Sequence, residues 1–472
     1  MGKQCIIVIA NLFNMETYGK ILLIAMPAFL LLVLFEKWYG WKKGFETVNT
    51  LDMISSLSSG VTNSTKDVLG LSIVILSYGW FVDHLAIMHV QNSIWLYIIA
   101  FVSLDFAGYW VHRLAHSYNF FWNNHIVHHS SEEYNLACAL RQSISVIFRI
   151  YTFLLIPAAL LGVPANVIAV VAPLHLFAQF WYHTRHIKTM GWLEYIIVTP
   201  AHHRVHHAIN PEYLDKNYGQ IFIIWDKLFG TFVQEQDNIP AVYGITRPVQ
   251  TWNPIKINFM HMWLLIKDAW RTKNLKDKFT IWFQPLGWRP ADVIDNYPVD
   301  KIKDVYHFEK YNTPASPAMK LYLWIQLFCM LLLVSYLYGN IVSIGHTNIF
   351  IYGAFIFVQV YALTEFMDRN KNAWILEGVK NALCIYWIAT TGDWFGSNQL
   401  STSIAPIAIV YFIASTVAVY YFSKIENTGT MKQASSTAKL FIQDYPTSLV
   451  SAPFTFLQIP KELLFCKANG SK

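Results

Sequence analysis

Charge is scarce in this 472-residue chain: Asp, Glu, Lys and Arg make up 14% of it, while 54% is apolar and 16% aromatic. Ordinary soluble domains carry about a quarter charged residues, so the composition argues against that class and for a membrane protein. The formal net charge of +6 contains no block of consecutive like charges, which argues against a nucleic-acid partner. Five cysteines are scattered at Cys5, Cys138, Cys329, Cys384 and Cys466, with no CxxC pair. An odd, dispersed set excludes a disulfide framework and a thiolate metal site. No A-x-A cleavage pattern follows the first apolar run, so that run is expected to stay as an anchor. "MGKQCI" has Ile6 where a myristoylation signal needs Ser or Thr. Internal repeats and low-complexity tracts are lacking.

Long apolar runs are what the chain has instead. Residues 21–35, 68–87, 93–111, 144–163, 165–182, 321–338, 349–363 and 404–422 each approach the length that crosses a hydrocarbon core, and 382–390 is a weaker run. The expected fold class is an all-α integral membrane protein, a multi-pass helical bundle. Lys37, Lys42 and Lys43 follow the first run, which places that loop in the cytoplasm by the positive-inside rule. Counting crossings forward, the third and fifth helices end on the same side, as does the polar stretch 183–318 with its sixteen Lys and Arg. The expected organisation is N-terminal membrane helices over 1–111, a histidine-rich core with two further membrane helices over 112–250, an interfacial segment over 251–318, a C-terminal membrane block over 319–424, and a tail over 425–472.

Twelve of the seventeen histidines fall between residues 112 and 207, and they are patterned. His112 and His116 form HxxxH; His125, His128 and His129 form HxxHH; His203, His206 and His207 form a second HxxHH. Residues three and four apart share a helical face, so each motif presents imidazoles together. Neutral imidazole is the commonest protein metal ligand. Eight or nine exceed the four ligands of one tetrahedral zinc, which implies two metals on the cytoplasmic side. Iron, copper and zinc all suit an all-nitrogen site. Isolated histidines such as His84, His89, His261, His307 and His346 read as surface or core groups, and His175 and His186 are open to the same reading.

The stretches "HRLAHSYNFFWNNHIVHHSSEEYNLACALRQS", "QFWYHTRHI" and "LEYIIVTPAHHRVHHAINPEYLDKNYGQIFIIWDKLFGTF", with "WFQPLGWRPADV" further on, resemble the fatty acid hydroxylase and sterol desaturase superfamily. Within it they are most similar to the ether-lipid branch, the alkylglycerol monooxygenases. The resemblance is dense over 105–232 and patchy to 293. It implies that His112, His116, His125, His128, His129, His203, His206 and His207 bind a pair of iron ions, with His183 as a further ligand and His202 as ligand or neighbour. It implies insertion of an oxygen atom from O2 into a lipid C–H bond, fed by an electron donor that in this branch is tetrahydrobiopterin. The implied target is the ether-adjacent carbon of an alkylglycerol, releasing fatty aldehyde and a glycerol derivative. A sterol or fatty acyl hydroxylase or desaturase is the alternative in the same superfamily. From other classes, a histidine-lined divalent-metal transporter or a structural membrane protein with incidental zinc would share the composition. The branch commonly has Glu after the second histidine of the first box, where this chain has Ser117.

Ligating imidazoles usually donate their other N–H to a carboxylate or carbonyl. Asp105, two helical turns before His112, is expected behind the site, as is Asp226. Glu132 and Glu133 are open to that role or to a helix start capped by Ser130 or Ser131. Arg141 reads as holding a polar cofactor group or as a snorkelling cation at a helix start. If the cell is eukaryotic, the endoplasmic reticulum is the expected membrane.

Overall fold

A computed structural model describes residues 12–71, 77–88, 91–146 and 150–426. Cys5, Cys466, "MGKQCI", His89 and nearly all of the 425–472 tail lie outside the described residues. The described chain is almost wholly helical, with three isolated β-bridges and no strand. Ten helices organise it: α1 (Leu12–Lys43), α2 (Thr50–Val68), α3 (Ile94–Ser117), α4 (Ala165–Phe177), α5 (Pro200–His206), α6 (Pro254–Arg271), α7 (Pro317–Gly339), α8 (His346–Met367), α9 (Ala373–Thr391) and α10 (Ile404–Tyr420). Residues through Val419 pack as one unit; from Tyr420 the chain forms a second, of which a π-type turn over Tyr421–Glu426 is described.

Among the described residues, five segments are long and apolar enough to cross a membrane: Met15–Lys43, Ile94–Ser117, Pro317–Gly339, His346–Met367 and Ile404–Lys424. Three other runs do not form single long helices. In the 68–87 run, α2 ends at Val68, Gly70 turns with φ +63°, and the next helix among the described residues is Tyr78–Leu85. The 144–163 run holds a 3₁₀ segment and a five-residue helix that starts beside Pro157. Residues 165–182 give α4, at thirteen residues too short to span alone.

One helix arises where no apolar run exists. The sequence from Thr50 to Val68 is rich in Ser and Thr, yet Asn49 caps it by accepting from the Leu51 and Asp52 amides at 2.9 and 3.4 Å. Its buried face is polar. Ser55 donates to the Trp252 carbonyl, Lys66 to that of Ser143, and Asp52 pairs with Arg141 at 2.6 Å. These bonds tie α2 to the segments that carry the histidines.

The membrane-length helices pack closely. A Cβ on Gly19 of α1 would sit 2.7 Å from the Tyr338 carbonyl of α7, so only glycine permits that approach. Tyr338 in turn shares its hydroxyl with Ser64 and Thr65 of α2 at 2.8 and 3.0 Å. On the other side, Leu96 and Ala100 of α3 bury against Val167, Ile168 and Val171 of α4. This packing fixes the end of α3, where the first histidines stand.

Candidate metal centre

α3 ends in HxxxH, so His112 and His116 lie one turn apart on its last turns. The chain then reverses, and His125 precedes a single helical turn, Ile126–His129. α5 carries His203 and His206, with Pro200 at its start, Thr199 and His202 as a capping box, and His207 at its C-cap. All three elements converge.

The nine imidazoles expected to act together fall into two groups: His112, His116, His125, His129 and His206, and His128, His183, His203 and His207. Within each, one ring nitrogen per residue lies within 4.8 Å of all the others. Helical periodicity explains the division. Residues four apart stay together (112 with 116, 125 with 129, 203 with 207), whereas the remaining histidine of each HxxHH turns to the other group. Each HxxHH box thereby serves both groups, while HxxxH serves the first alone.

Contacts between Nε2 atoms are short. In the first group His112 and His125 lie 2.8 Å apart, and His129 stands 3.0, 3.2 and 3.1 Å from His125, His116 and His206. In the second, His183 is 3.0 Å from His203 and 3.5 Å from His128, and His203 is 3.1 Å from His207. The opposite nitrogens face carbonyls: Nδ1 of His112 that of Tyr218 at 2.9 Å, His128 that of Arg141 at 3.2 Å, His183 that of Gln179 at 3.0 Å, and His206 that of Lys216 at 2.9 Å. A carbonyl only accepts, so the proton sits on Nδ1 and Nε2 keeps its lone pair. His128 and His183 therefore aim two lone pairs at each other, an arrangement a cation between them relieves. Metal–imidazole bonds of about 2.1 Å meeting near right angles would separate nitrogens by about 3 Å, close to the spacing seen.

Burial, with repulsion from neighbouring imidazoles, drives the protonated forms out. It holds His128 down at about 3 and His125, His129, His183, His203, His206 and His207 well below the ordinary histidine range. The donor set is nitrogen-only and largely buried. It could hold two metal ions.

Around the imidazoles, several expectations change. Asp105 touches none of the nine; it accepts from His175 at 2.8 Å, from the Ile221 and Phe222 amides, and from the Trp225 indole. Asp226 accepts from the Tyr218 and Gly219 amides at 2.7 and 2.6 Å and from Thr231. Both carboxylates thus fix the 218–226 segment, and Asp226 positions the residue whose carbonyl orients His112. Glu132 accepts from the Tyr311 amide and Glu133 pairs with Lys310, away from every grouped imidazole, and no helix starts there. Arg141 is buried and bonded to Asp52, Ser56 and Ser130, so it does not snorkel, and it lines a separate cavity of about 260 Å³ with Asp52, Glu132 and Glu133. His202 stands outside both groups, its Nδ1 facing the Thr199 amide. Ser117 donates to the Arg113 carbonyl of its own helix.

Sequence reasoning missed Asp215, whose carboxylate is 3.4 Å from Nδ1 of His116, and the carbonyls behind four other rings. Asp215 and Asn217 adopt φ of +59° and +55°, the left-handed conformation that Asp and Asn tolerate best after glycine. "DKNYG" was the available signal.

Against this centre lies a cavity of about 230 Å³. His116, His129, His206 and His207 line it, with Trp122, Ile126, Ile209, Leu214, Ile245, Met260 and Leu264 supplying an apolar wall. An alkyl chain fits such surroundings.

Comparison with known proteins agrees with the motifs. Residues 97–231 match the fatty acid hydroxylase family model. The alkylglycerol monooxygenase of Homo sapiens is 34% identical over 87% of this chain and 90% of its own length, and that of Danio rerio 35% identical over 76% and 80%. An ornithine lipid hydroxylase of Rhizobium tropici is 32% identical over 32% of this chain and 46% of its own length. No solved structure matches the chain. Near-full-length similarity of this kind settles kinship: the chain belongs to the alkylglycerol monooxygenase family.

Proposed function

We propose that the chain is a di-iron monooxygenase that hydroxylates the ether-adjacent carbon of an alkylglycerol. The single observation that carries this reading is the pair of converging Nε2 sets beside an apolar cavity. The relatives' names supply the substrate class.

Two irons, when bound, supply the dioxygen activation that side chains lack. The residues do the rest. Each Nδ1–H held by a carbonyl locks its ring so that Nε2 points inward. Trp122, Ile126 and the other apolar wall residues exclude water and align an alkyl chain beside His116 and His129. In the balanced reaction the C–H bond, O2, two electrons and two protons give an alcohol and one water. The product is a hemiacetal, which collapses to a fatty aldehyde and a glycerol derivative. A reduced pterin supplies the two electrons.

α6 supports a lipid route. It buries Ile257, His261 and Leu264 while exposing Phe259, Trp263, Ile266 and Trp270, the last 85% exposed, so its outer face suits the bilayer interface. The histidine centre faces the cytoplasm, in the endoplasmic reticulum of a eukaryotic cell.

The test is metal analysis of the purified protein with product identification from a lipid panel. Two irons per chain, and aldehyde from alkylglycerol only with reduced pterin, are expected. Aldehyde formation without pterin, or oxidation of a sterol or acyl lipid in its place, would move the chain to another chemistry of the superfamily. Metal uptake into vesicles without any lipid product would point to a transporter.

A further inference from the structure

The apolar cavity beside the histidines adjoins a second of about 510 Å³, and Arg247, Met260, Leu264, Arg289 and Val299 line both. Two side chains, His261 on the first cavity and Arg247 on both, have polar atoms without a hydrogen-bond partner among the described residues. His261, on α6, is 7% exposed, and its Nε2 has no hydrogen-bond partner in the protein. Its ring donates to the Asn119 backbone, which leaves Nε2 with a lone pair, and burial keeps the ring neutral by lowering it to about 4. Arg247 is partly buried and makes no hydrogen bond to a described residue; Asp268 and Asp300 act on it only at longer range. Its neighbour Arg289 differs, being held by Asp268 at 2.6 and 2.9 Å and by the Tyr297 carbonyl at 2.8 Å.

An unmet buried acceptor costs about 1–3 kcal/mol, so such groups are retained where something else completes them. Here the acceptor lines the apolar cavity, and the free guanidinium lines that cavity and the polar one it adjoins. A head that both donates and accepts hydrogen bonds satisfies the two together; a hydroxyl does this, whereas a phosphate diester offers oxygens alone. We propose that His261 and Arg247 hold the hydroxyl-bearing head of the lipid, His261 Nε2 accepting from one hydroxyl and Arg247 donating to an oxygen. The first carbons of the chain are thereby set against the histidine centre. This rests on the lipid-oxidation reading and assigns two specificity-determining residues to it.

The experiment is binding without turnover. Purified full-length protein in neutral detergent, without reductant, is titrated with 1-O-dodecylglycerol, its di-O-methyl ether and dodecyl phosphate, each displacing a fluorescent fatty alcohol. The wild type is expected to favour the diol over its di-O-methyl ether about tenfold, the effect of one or two neutral hydrogen bonds. H261F and R247Q should each reduce that preference to about threefold or less. M260A, which alters the same wall without a polar atom, should weaken all three ligands equally and shows that the folded cavity tolerates substitution. Equal binding of diol and dimethyl ether by the wild type, or a preference unchanged in both variants, overturns the proposal. So does tighter binding of dodecyl phosphate lost only in R247Q, which assigns the junction to anions. Turnover is scored separately. Head-selective binding without aldehyde release sinks the oxidation reading alone, and aldehyde release without head selectivity sinks this one alone.

Discussion

Two of the polar clusters buried among the described residues differ in what their atoms face. Between α7, α8, α9 and α10, Lys380 pairs with Glu377 at 2.8 Å and donates to Gln359, while Glu377 also accepts from Asn381 and Ser415 at 2.9 and 2.6 Å. Gln326 accepts from Tyr411 at 2.8 Å. The donors there meet acceptors and the charges cancel within the cluster, Asn381 Oδ1 alone standing without a hydrogen-bond partner. At the histidine centre, the Nε2 atoms of His128 and His183 meet as two acceptors, and no described residue completes them. Internal satisfaction marks a cluster that holds helices together, and mutual repulsion marks one built for a guest.

The largest effect should come from the imidazole with the most Nε2 neighbours. His129 approaches three others, so His129→Ala should remove aldehyde production to below detection and at least one metal per chain. In metal-free protein the same change relieves the crowding of buried imidazole nitrogens, and its thermal midpoint should not fall. A marked loss of stability without metal would place His129 in the structural class, and the contrast would fail.

The opposite behaviour is expected of the C-terminal cluster. Lys380→Met leaves the Glu377 carboxylate buried beside an apolar chain, which should cost roughly 3–5 kcal/mol by thermal unfolding in detergent. The double change Lys380→Met with Glu377→Leu should recover most of this, while metal content per folded molecule stays at the parent's value throughout. Loss of metal in the double variant would show that the clusters are coupled.

Between these extremes stands Asp226, which acts through the backbone of Tyr218. Asp226→Asn keeps the shape but replaces one acceptor with an amide donor against the Tyr218 or Gly219 N–H. A ten- to hundredfold loss of metal affinity is expected, measured by chelator competition, in line with other outer partners of metal ligands. His112 should account for it. An unchanged affinity would mean that the Tyr218 carbonyl does not depend on this carboxylate.

How much of this was legible depended on the kind of signal. The histidine boxes were readable because a rare residue recurs at helical spacing, and all nine imidazoles fall within the two groups. The division between groups was not drawn, although the one-residue offset of His128 from His129 contains it. α2 escaped notice because its buried face is polar, and hydropathy cannot see Asp52 meeting Arg141 across 89 residues of sequence. The seven-residue spacing from Asp105 to His112 suggested a shared face, but the nearer partner is His175, supplied by a helix that spacing within α3 says nothing about. Backbone carbonyls carry no sequence signature at all. Apolar composition likewise misled at 68–87 and 144–163, where Gly70 and Pro157 interrupt regular helix.

The smallest effect tests where the centre's surroundings stop mattering. Glu133 follows the second box by four residues and carries a charge, which made it a candidate for supporting a ligand. Its carboxylate instead meets Lys310, whose side chain is 45% exposed, at 2.8 Å. Exposed pairs of this sort contribute about 0.2–1 kcal/mol, since water and salt screen the charges and two long side chains must be ordered. Glu133→Gln should therefore shift stability by less than about 1 kcal/mol and leave metal content and aldehyde release within about twofold of the parent. Glu132→Gln differs by one position but takes charge from an acceptor that holds the Tyr311 amide at 2.5 Å, so its cost should be the greater of the two. If Glu133→Gln instead stripped metal, the boundary between the paired and unpaired clusters would lie further out than the hydrogen bonds place it.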